Sequence, residues 1–293
     1  MVVTHTHLKV VIDEKSGFCF GVKKAIGLAE EKLSADQNLY CLGDIVHNEN
    51  EVNRLADMGL IVISREQYFE LYNCTVLLRA HGEPLEVFEY AEKNNIKLID
   101  GTCPVVSKLQ QKITRSYNEL KGNGSLIIFG KPDHPEVVGL NGQIDNKAIV
   151  ISSKDDLAKV DYTKPIALYS QTTMSRDEYR ELKMELEKNI QSPELIDAHD
   201  TICGQVANRG PWLQDFSSKF EAVIFAGGKK SSNSKVLYAK CKESNPNSYF
   251  VSNANDIETL DLKEFNSVGV CGATSTPRWL LEEVAERIKQ LYP

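Results

Sequence analysis

Three of the seven cysteines share one local setting. Cys19 in SGFCFG, Cys103 in DGTCPV and Cys203 in DTICGQ each follow an apolar run and a short turn, and each stands just before a helical pattern. A thiol at a helix N-terminus is shifted toward the thiolate, the form that ligates metal. Three thiolates with no C-x-x-C pair among them fit an iron–sulfur or a zinc set, because soft ligands suit both. Three ligands rather than four leave one metal position open for chemistry. Free cysteine is common in any core, so the repeated placement, not the residue type, singles these three out. Cys41 and Cys271 lie inside apolar runs, Cys74 precedes one and Cys241 lies near a helix end, which gives these four packing roles only.

Six polar turns follow at repeating distances. His47 in IVHNENEV, His134 in DHPEVVG and Ser231–Ser232–Asn233 in KKSSNS lie 28, 31 and 28 positions after their cysteine. His81 in RAHGEP, Thr172 in SQTT and Ser275 in ATST lie 62, 69 and 72 positions after it. Helix N-termini with free amides bind anions, and Ser, Thr, Asn and His add donors there. A single Thr172 or Ser275 is more simply a helix cap. Three histidines in such turns weigh more, since the chain has only six. Several neutral donors converging on one point suit a diphosphate or a similar dianion. With no P-loop and no GxGxxG, a nucleotide is not implied. Glu136 lies two residues after His134. A carboxylate there suits the helix dipole; in a dry site its pKa rises and it becomes a proton donor. Glu83 and Asp133 occupy similar turns and remain rivals.

The elements that must hold these residues are short. Twelve short apolar runs, as a set rich in β-branched residues, among them Leu8–Ile12, Asn38–Leu42, Leu126–Gly130, Ile166–Ser170, Glu194–Ile196 and Ala222–Ala226, alternate with helical stretches such as Phe20–Leu33, Val105–Lys121 and Gln205–Lys219. Continuous apolar strands alternating with helices predict an α/β fold of mainly parallel sheets. In such sheets, sites lie beyond the carboxyl ends of the strands, where all three cysteines and six turns fall. Length alone, 293 residues, suggests two domains. The cysteine spacing instead predicts three pseudo-threefold-related α/β units, 20–103, 104–200 and 201–293, the last completed by the N-terminal strand in 1–19. The net charge of −7 argues against nucleic acid as the main partner. No apolar run is long enough to span a membrane, and Met1–His7 lacks the pattern of a signal peptide. The expectation is a cytoplasmic protein with reduced thiols.

GFCFGVKKAI, IVHNENEV, AHG, TCPVVSK, HPEVVG, SQTTMS, DTIC, NR and KKSSNS, in this order, resemble the hydroxymethylbutenyl diphosphate reductase (LytB) family from about Ser16 to Leu280. The resemblance implies a trefoil of three α/β units around a 4Fe–4S cluster. It implies reductive removal of the hydroxyl of 4-hydroxy-3-methylbut-2-enyl diphosphate, the last step of the methylerythritol phosphate route to isopentenyl and dimethylallyl diphosphates. Ferredoxin or flavodoxin would deliver the electrons. Carried over by motif, Cys19, Cys103 and Cys203 hold the cluster, and His47, His81, His134, Ser231, Ser232, Asn233 and Ser275 hold the diphosphate. Thr172 meets the substrate hydroxyl and Glu136 supplies the proton. A basic patch around Lys229–Lys230 is the candidate docking surface for the electron donor.

The chain departs from the family pattern in the residues flanking DGTCP, RAHGEP, GKPDHPEV, DTICGQVANRG and CGATSTP, without losing a ligand or donor. Ser275 has Thr274 and Thr276 as neighbouring alternatives. A quinolinate-synthase-like dehydratase and a non-enzymatic iron–sulfur or zinc protein are the rival readings.

Overall fold

The computed structural model describes residues 8–35, 38–229 and 231–293, and of Ser232 the backbone only. Lys230 and the Ser232 side chain therefore lie outside the described residues.

The chain opens with β1 (Lys9–Ile12), then α1 (Phe20–Ala35), β2 (Leu39–Leu42), α2 (Glu49–Asp57), β3 (Leu60–Ile63), α3 (Arg65–Tyr68), β4 (Thr75–Leu78), α4 (Leu85–Lys93) and β5 (Lys97–Asp100). The same order returns in α5 (Pro104–Leu120), β6 (Ser125–Phe129), α6 (Pro135–Asn141), β7 (Ile149–Ile151), β8 (Ile166–Ser170), α7 (Arg176–Asn189) and β9 (Ile196–Ala198). It returns again in α8 (Gly204–Ala207), α9 (Arg209–Ser217), β10 (Ala222–Ala226), α10 (Ser232–Ser244), β11 (Ser248–Val251), β12 (Ser267–Gly272) and α11 (Arg278–Leu291). Where the first round has α3, the later rounds have 3-10 turns at Lys154–Lys159 and Ala254–Thr259. All three start on the same device. The side chains of Gln67, Asp156 and Asp256 reach back to accept from the backbone N–H of Ser64, Ser153 and Asn253 at 2.8, 3.0 and 3.3 Å.

Three four-stranded sheets result, in the orders β3-β2-β4-β5, β7-β6-β8-β9 and β1-β12-β10-β11. The described registers are all parallel. Each sheet has one order, counted from its own cysteine: second strand, first, third, fourth. In the last sheet the fourth place is taken by β1, which pairs Lys9–Ile12 with Ser267–Val270. The central strands β8 and β10 are buried along their whole length, which is why IALYS and AVIFA carry no polar alternation.

The chain divides into two compact units. The first comprises Met1–Lys23, Asp44–Leu60 and Asn208–Pro293. Its sheet packs one face on Leu280, Leu281, Val284 and Ile288 of α11 and the other on Leu213 and Phe216 of α9. Cys241 and Cys271 are buried in this second layer, 4.0 Å apart. The second unit, Lys24–Gly43 and Ile61–Ala207, carries the other two sheets apart from Leu60. Its cores gather around Tyr68, Val76 and Leu78, around Ile113, Ile128 and Leu140, and around Ile127, Leu168 and Leu186.

Two expected elements differ. The strand expected at Glu194–Ile196 is displaced to Ile196–Ala198, because Pro193–Leu195 coil into a 3-10 turn started by the proline. The single helix expected over Gln205–Lys219 is broken at Asn208. The new helix begins at Arg209, whose guanidinium is buried against Asp13 at 2.8 Å.

Candidate active site

Each of the three cysteines sits at the same junction. Cys19, Cys103 and Cys203 follow β1, β5 and β9 and precede α1, α5 and α8. Their carbonyls accept the first helical N–H, from Lys23, Ser107 and Ala207, each at 2.9 Å. Their own amides donate to the turn after the neighbouring strand: Cys19 to Thr274 O at 3.2 Å, Cys103 to Ala80 O at 3.0 Å and Cys203 to Thr172 O at 2.8 Å. The repeat thus reaches down to single hydrogen bonds, and it ties each thiol to one of the second polar turns. None of the three is in a disulfide among the described residues and each is only half buried, whereas Cys41, Cys241 and Cys271 are fully buried. Reduced, accessible thiols at helix N-termini are the donor chemistry an iron–sulfur cluster requires, so the residues fit such a group.

The second unit holds Cys103, Cys203, His81, His134, Glu136 and Thr172. His134 caps α6, its Nδ1 accepting from Glu136 N at 3.1 Å. A neutral imidazole whose Nδ1 accepts carries its proton on Nε2, making that atom a donor. The His81 ring stands edge-on to His134, with centroids 5.4 Å apart and planes at 87°. The turn between them is close-packed. Gly82 takes φ of +75°, which a side chain would oppose. A Cβ on Gly139 would lie 2.7 Å from the Gly82 carbonyl. Gln143 Nε2 donates to Glu83 O at 2.9 Å.

Glu136 is 2% exposed. Its Oε1 accepts from Thr172 N at 2.6 Å and its Oε2 from Thr172 Oγ1 at 2.7 Å. Burial pushes its pKa up to about 7, against the pull of the two Thr172 hydrogen bonds. The rival carboxylates differ. Glu83 is equally buried but lies 2.7 Å from Arg65 Nη2 and 3.6 Å from Arg79 Nε. Burial raises its pKa while the guanidiniums pull it back. Asp133 is exposed. Of the three, Glu136 alone is a buried carboxyl with no cationic partner among the described residues.

The first unit holds Cys19, His47, Ser231, Asn233 and Ser275. Ser231 caps α10, its Oγ accepting from Ser234 N at 3.2 Å. His47 precedes Asn48, which caps α2 through Oδ1. Ser275 Oγ and Asn48 Nδ2 are buried with no hydrogen-bond partner among the described residues. Of the alternatives to Ser275, Thr276 is committed elsewhere, donating to Ala226 O at 2.9 Å and accepting from Ala273 N at 3.1 Å.

The repeated junctions fit one known family, and the family model described as LytB protein matches residues 10–289. The chain belongs to the LytB family. Its LytB relatives include a Bacteroides fragilis chain named 4-hydroxy-3-methylbut-2-enyl diphosphate reductase, 51% identical over 96% of this chain and 98% of the relative. A Chlorobium phaeovibrioides chain of the same name is 46% identical over 97% and 100%. A solved (E)-4-hydroxy-3-methyl-but-2-enyl diphosphate reductase, described as the terminal enzyme of the non-mevalonate pathway, superposes with a TM-score of 0.77 at 32% identity, covering 97% of this chain and 99% of that one. The Plasmodium falciparum reductase structure gives a TM-score of 0.81 at 25% identity over 96% and 88%. LytB membership sets aside the quinolinate-synthase-like and non-enzymatic readings.

Sequence reasoning missed a buried hub in the first unit. Arg209 Nη2 donates to Asp13 Oδ2 and to Gly272 O, each at 2.8 Å, and also to Ser16 Oγ. Ser16 Oγ in turn accepts from Gly272 N at 2.8 Å, and Trp212 Nε1 donates to Asp13 Oδ1 at 2.9 Å. The hub pins the loop before Cys19 to the strand end that leads to Ser275. Its only signal was the NR pair after DTIC, quoted as a motif but given no partner.

Proposed function

We propose that this chain is a 4-hydroxy-3-methylbut-2-enyl diphosphate reductase, which removes the allylic hydroxyl reductively to give isopentenyl and dimethylallyl diphosphates. Cys19 and Cys103, each just ahead of the repeats 20–103 and 104–200, and Cys203, near the start of the repeat 201–293 with 1–19, hold a 4Fe–4S cluster. When bound, that cluster would supply electrons and Lewis acidity toward the departing oxygen.

The chain's own residues do the rest. His47, His81, His134, Ser231, Ser232, Asn233 and Ser275 bind the diphosphate as largely neutral donors. Thr172 meets the substrate hydroxyl. Glu136 holds the proton that leaves with the oxygen as water. The Glu136–Thr172 pair is the observation that carries this reading. With the proton on Oε2, the 2.7 Å bond reverses, Glu136 donates to Thr172 Oγ1, and the threonine O–H is freed to donate onward. A carboxyl that stays protonated up to about pH 7 suits this relay.

Electrons come from ferredoxin or flavodoxin, in the cytoplasm. No helix among the described residues is long and apolar enough to cross a membrane. The test is anaerobic incubation with the substrate and a chemical reductant, with product analysis. Both five-carbon diphosphates are expected, from brown protein absorbing broadly near ~400 nm. Colourless, zinc-loaded protein without turnover would sink the reading.

A further inference from the structure

Helix α2 starts just after His47, and a buried carboxylate fixes it in the first unit. Glu51 is 1% exposed. Its Oε2 accepts from Trp279 Nε1 at 2.7 Å, and Arg54 forks onto it with Nε at 3.1 Å and Nη2 at 2.6 Å. Trp279 is the second residue of α11, four positions after Ser275. One hydrogen bond therefore joins the helix that follows His47 to the helix that follows Ser275. Two other contacts hold the same segment. Asn50 Nδ2 donates to Ser252 O at 2.6 Å. A Cβ on Gly228 would come within 2.7 Å of the His47 carbonyl, so the loop leading to Ser231 approaches that backbone as only glycine permits.

No step of the proposed reaction needs Glu51. A carboxylate so buried persists only when its oxygens are well satisfied, and a charge-assisted bond from an indole gives that satisfaction a direction. The pair is fully committed, while Asn48 Nδ2 and Ser275 Oγ, on the two segments it joins, are buried and unpartnered among the described residues.

We propose that Glu51 and Trp279 form a positioning pair that sets the spacing of the His47–Asn48 turn against the Ser275 turn before any ligand arrives, and so tunes affinity for a diphosphate. This rests on the assignment of His47 and Ser275 to that group. Preorganised donors act on binding, so the pair's loss appears in affinity rather than in chemistry.

The test uses the cluster-loaded enzyme with a chemical reductant, and inorganic pyrophosphate as a second probe, its affinity read by calorimetry. W279F and E51A are expected to raise KM and weaken pyrophosphate roughly tenfold in parallel, with kcat held within about twofold. The double variant should be no worse than either single one, as for two partners of one interaction. E51Q keeps an oxygen for the indole and should restore KM to within about threefold of the parent. Unmoved KM and pyrophosphate affinity in W279F and E51A, or additive losses, would overturn the pairing. Absence of turnover in the parent enzyme would instead overturn the functional reading, and pyrophosphate calorimetry still judges the pair without turnover.

Discussion

At the scale of the residue, the environment of one carboxyl decides most. No cation among the described residues stands beside Glu136, and burial pushes its pKa up to about 7. Glu136→Gln should keep KM and lose at least about 10²-fold in kcat, the usual scale for a proton donor; steady-state kinetics under reductant check both. In the parent, kcat should be level below about pH 7 and fall about tenfold per unit above it, as the donor loses its proton. The same shift acts on stability. Below the ordinary value of 4.5, folded and unfolded chains both hold the proton. Between 4.5 and about 7 the unfolded chain releases it and the folded one keeps it, so stability falls as pH rises. That slope is about 1.4 kcal/mol per unit, ending above pH 7. Urea midpoints at pH 5 and 7.5 should therefore differ less in Glu136→Gln than in the parent. Cys103→Ser should lose bound iron and activity while the far-ultraviolet circular dichroism is kept, since its cap carbonyl is untouched. Full iron content in that variant would remove Cys103 from the ligand set.

At the scale of the element, the second polar turn of the first repeat is clamped by α6. A Cβ on Gly142 would fall 2.2 Å from Pro84 Cβ and 2.9 Å from its Cα, atoms that cannot swing aside. Gly142→Ala should cost about 1–3 kcal/mol of stability, seen as an earlier denaturant midpoint. It should also raise KM, because the displaced turn carries His81. Much at this scale was legible in the sequence. Eleven of the twelve described strands lie on the apolar runs expected, β9 being displaced by the turn at Pro193–Leu195, and central parallel strands such as β8 and β10 tolerate little besides apolar residues. What stayed hidden depends on partners distant in the chain. Nothing in GQVANRG announces a helix break, since its companion Asp13 lies 196 positions earlier. Trp279 and Glu51 are 228 positions apart. Glu83 and Glu136 look alike in sequence; Arg65, 18 positions before Glu83, tells them apart.

At the scale of the whole molecule, the N-terminal strand is a structural member of the last repeat. A chain shortened to begin after Asp13 would leave the β12 edge open and the Arg209 guanidinium buried without its carboxylate. Removing one partner of a buried ion pair costs about 3–5 kcal/mol, which for a protein of this size lowers the melting temperature by roughly 10 °C. Differential scanning fluorimetry reads this directly, and an unchanged melting temperature would show the hub to be dispensable.

The first compact unit is assembled from three separate stretches of chain and the second from two. On the ribosome this imposes a schedule. The second unit has all its residues once Ala207 has emerged, and it can condense while synthesis continues. The first cannot close until β12 and α11 are made, so the loop before Cys19 waits for a partner 256 positions later, Gly272 for Ser16, before it is anchored. If Cys19 is a ligand as proposed, a nascent chain stalled before β12 should bind no complete cluster.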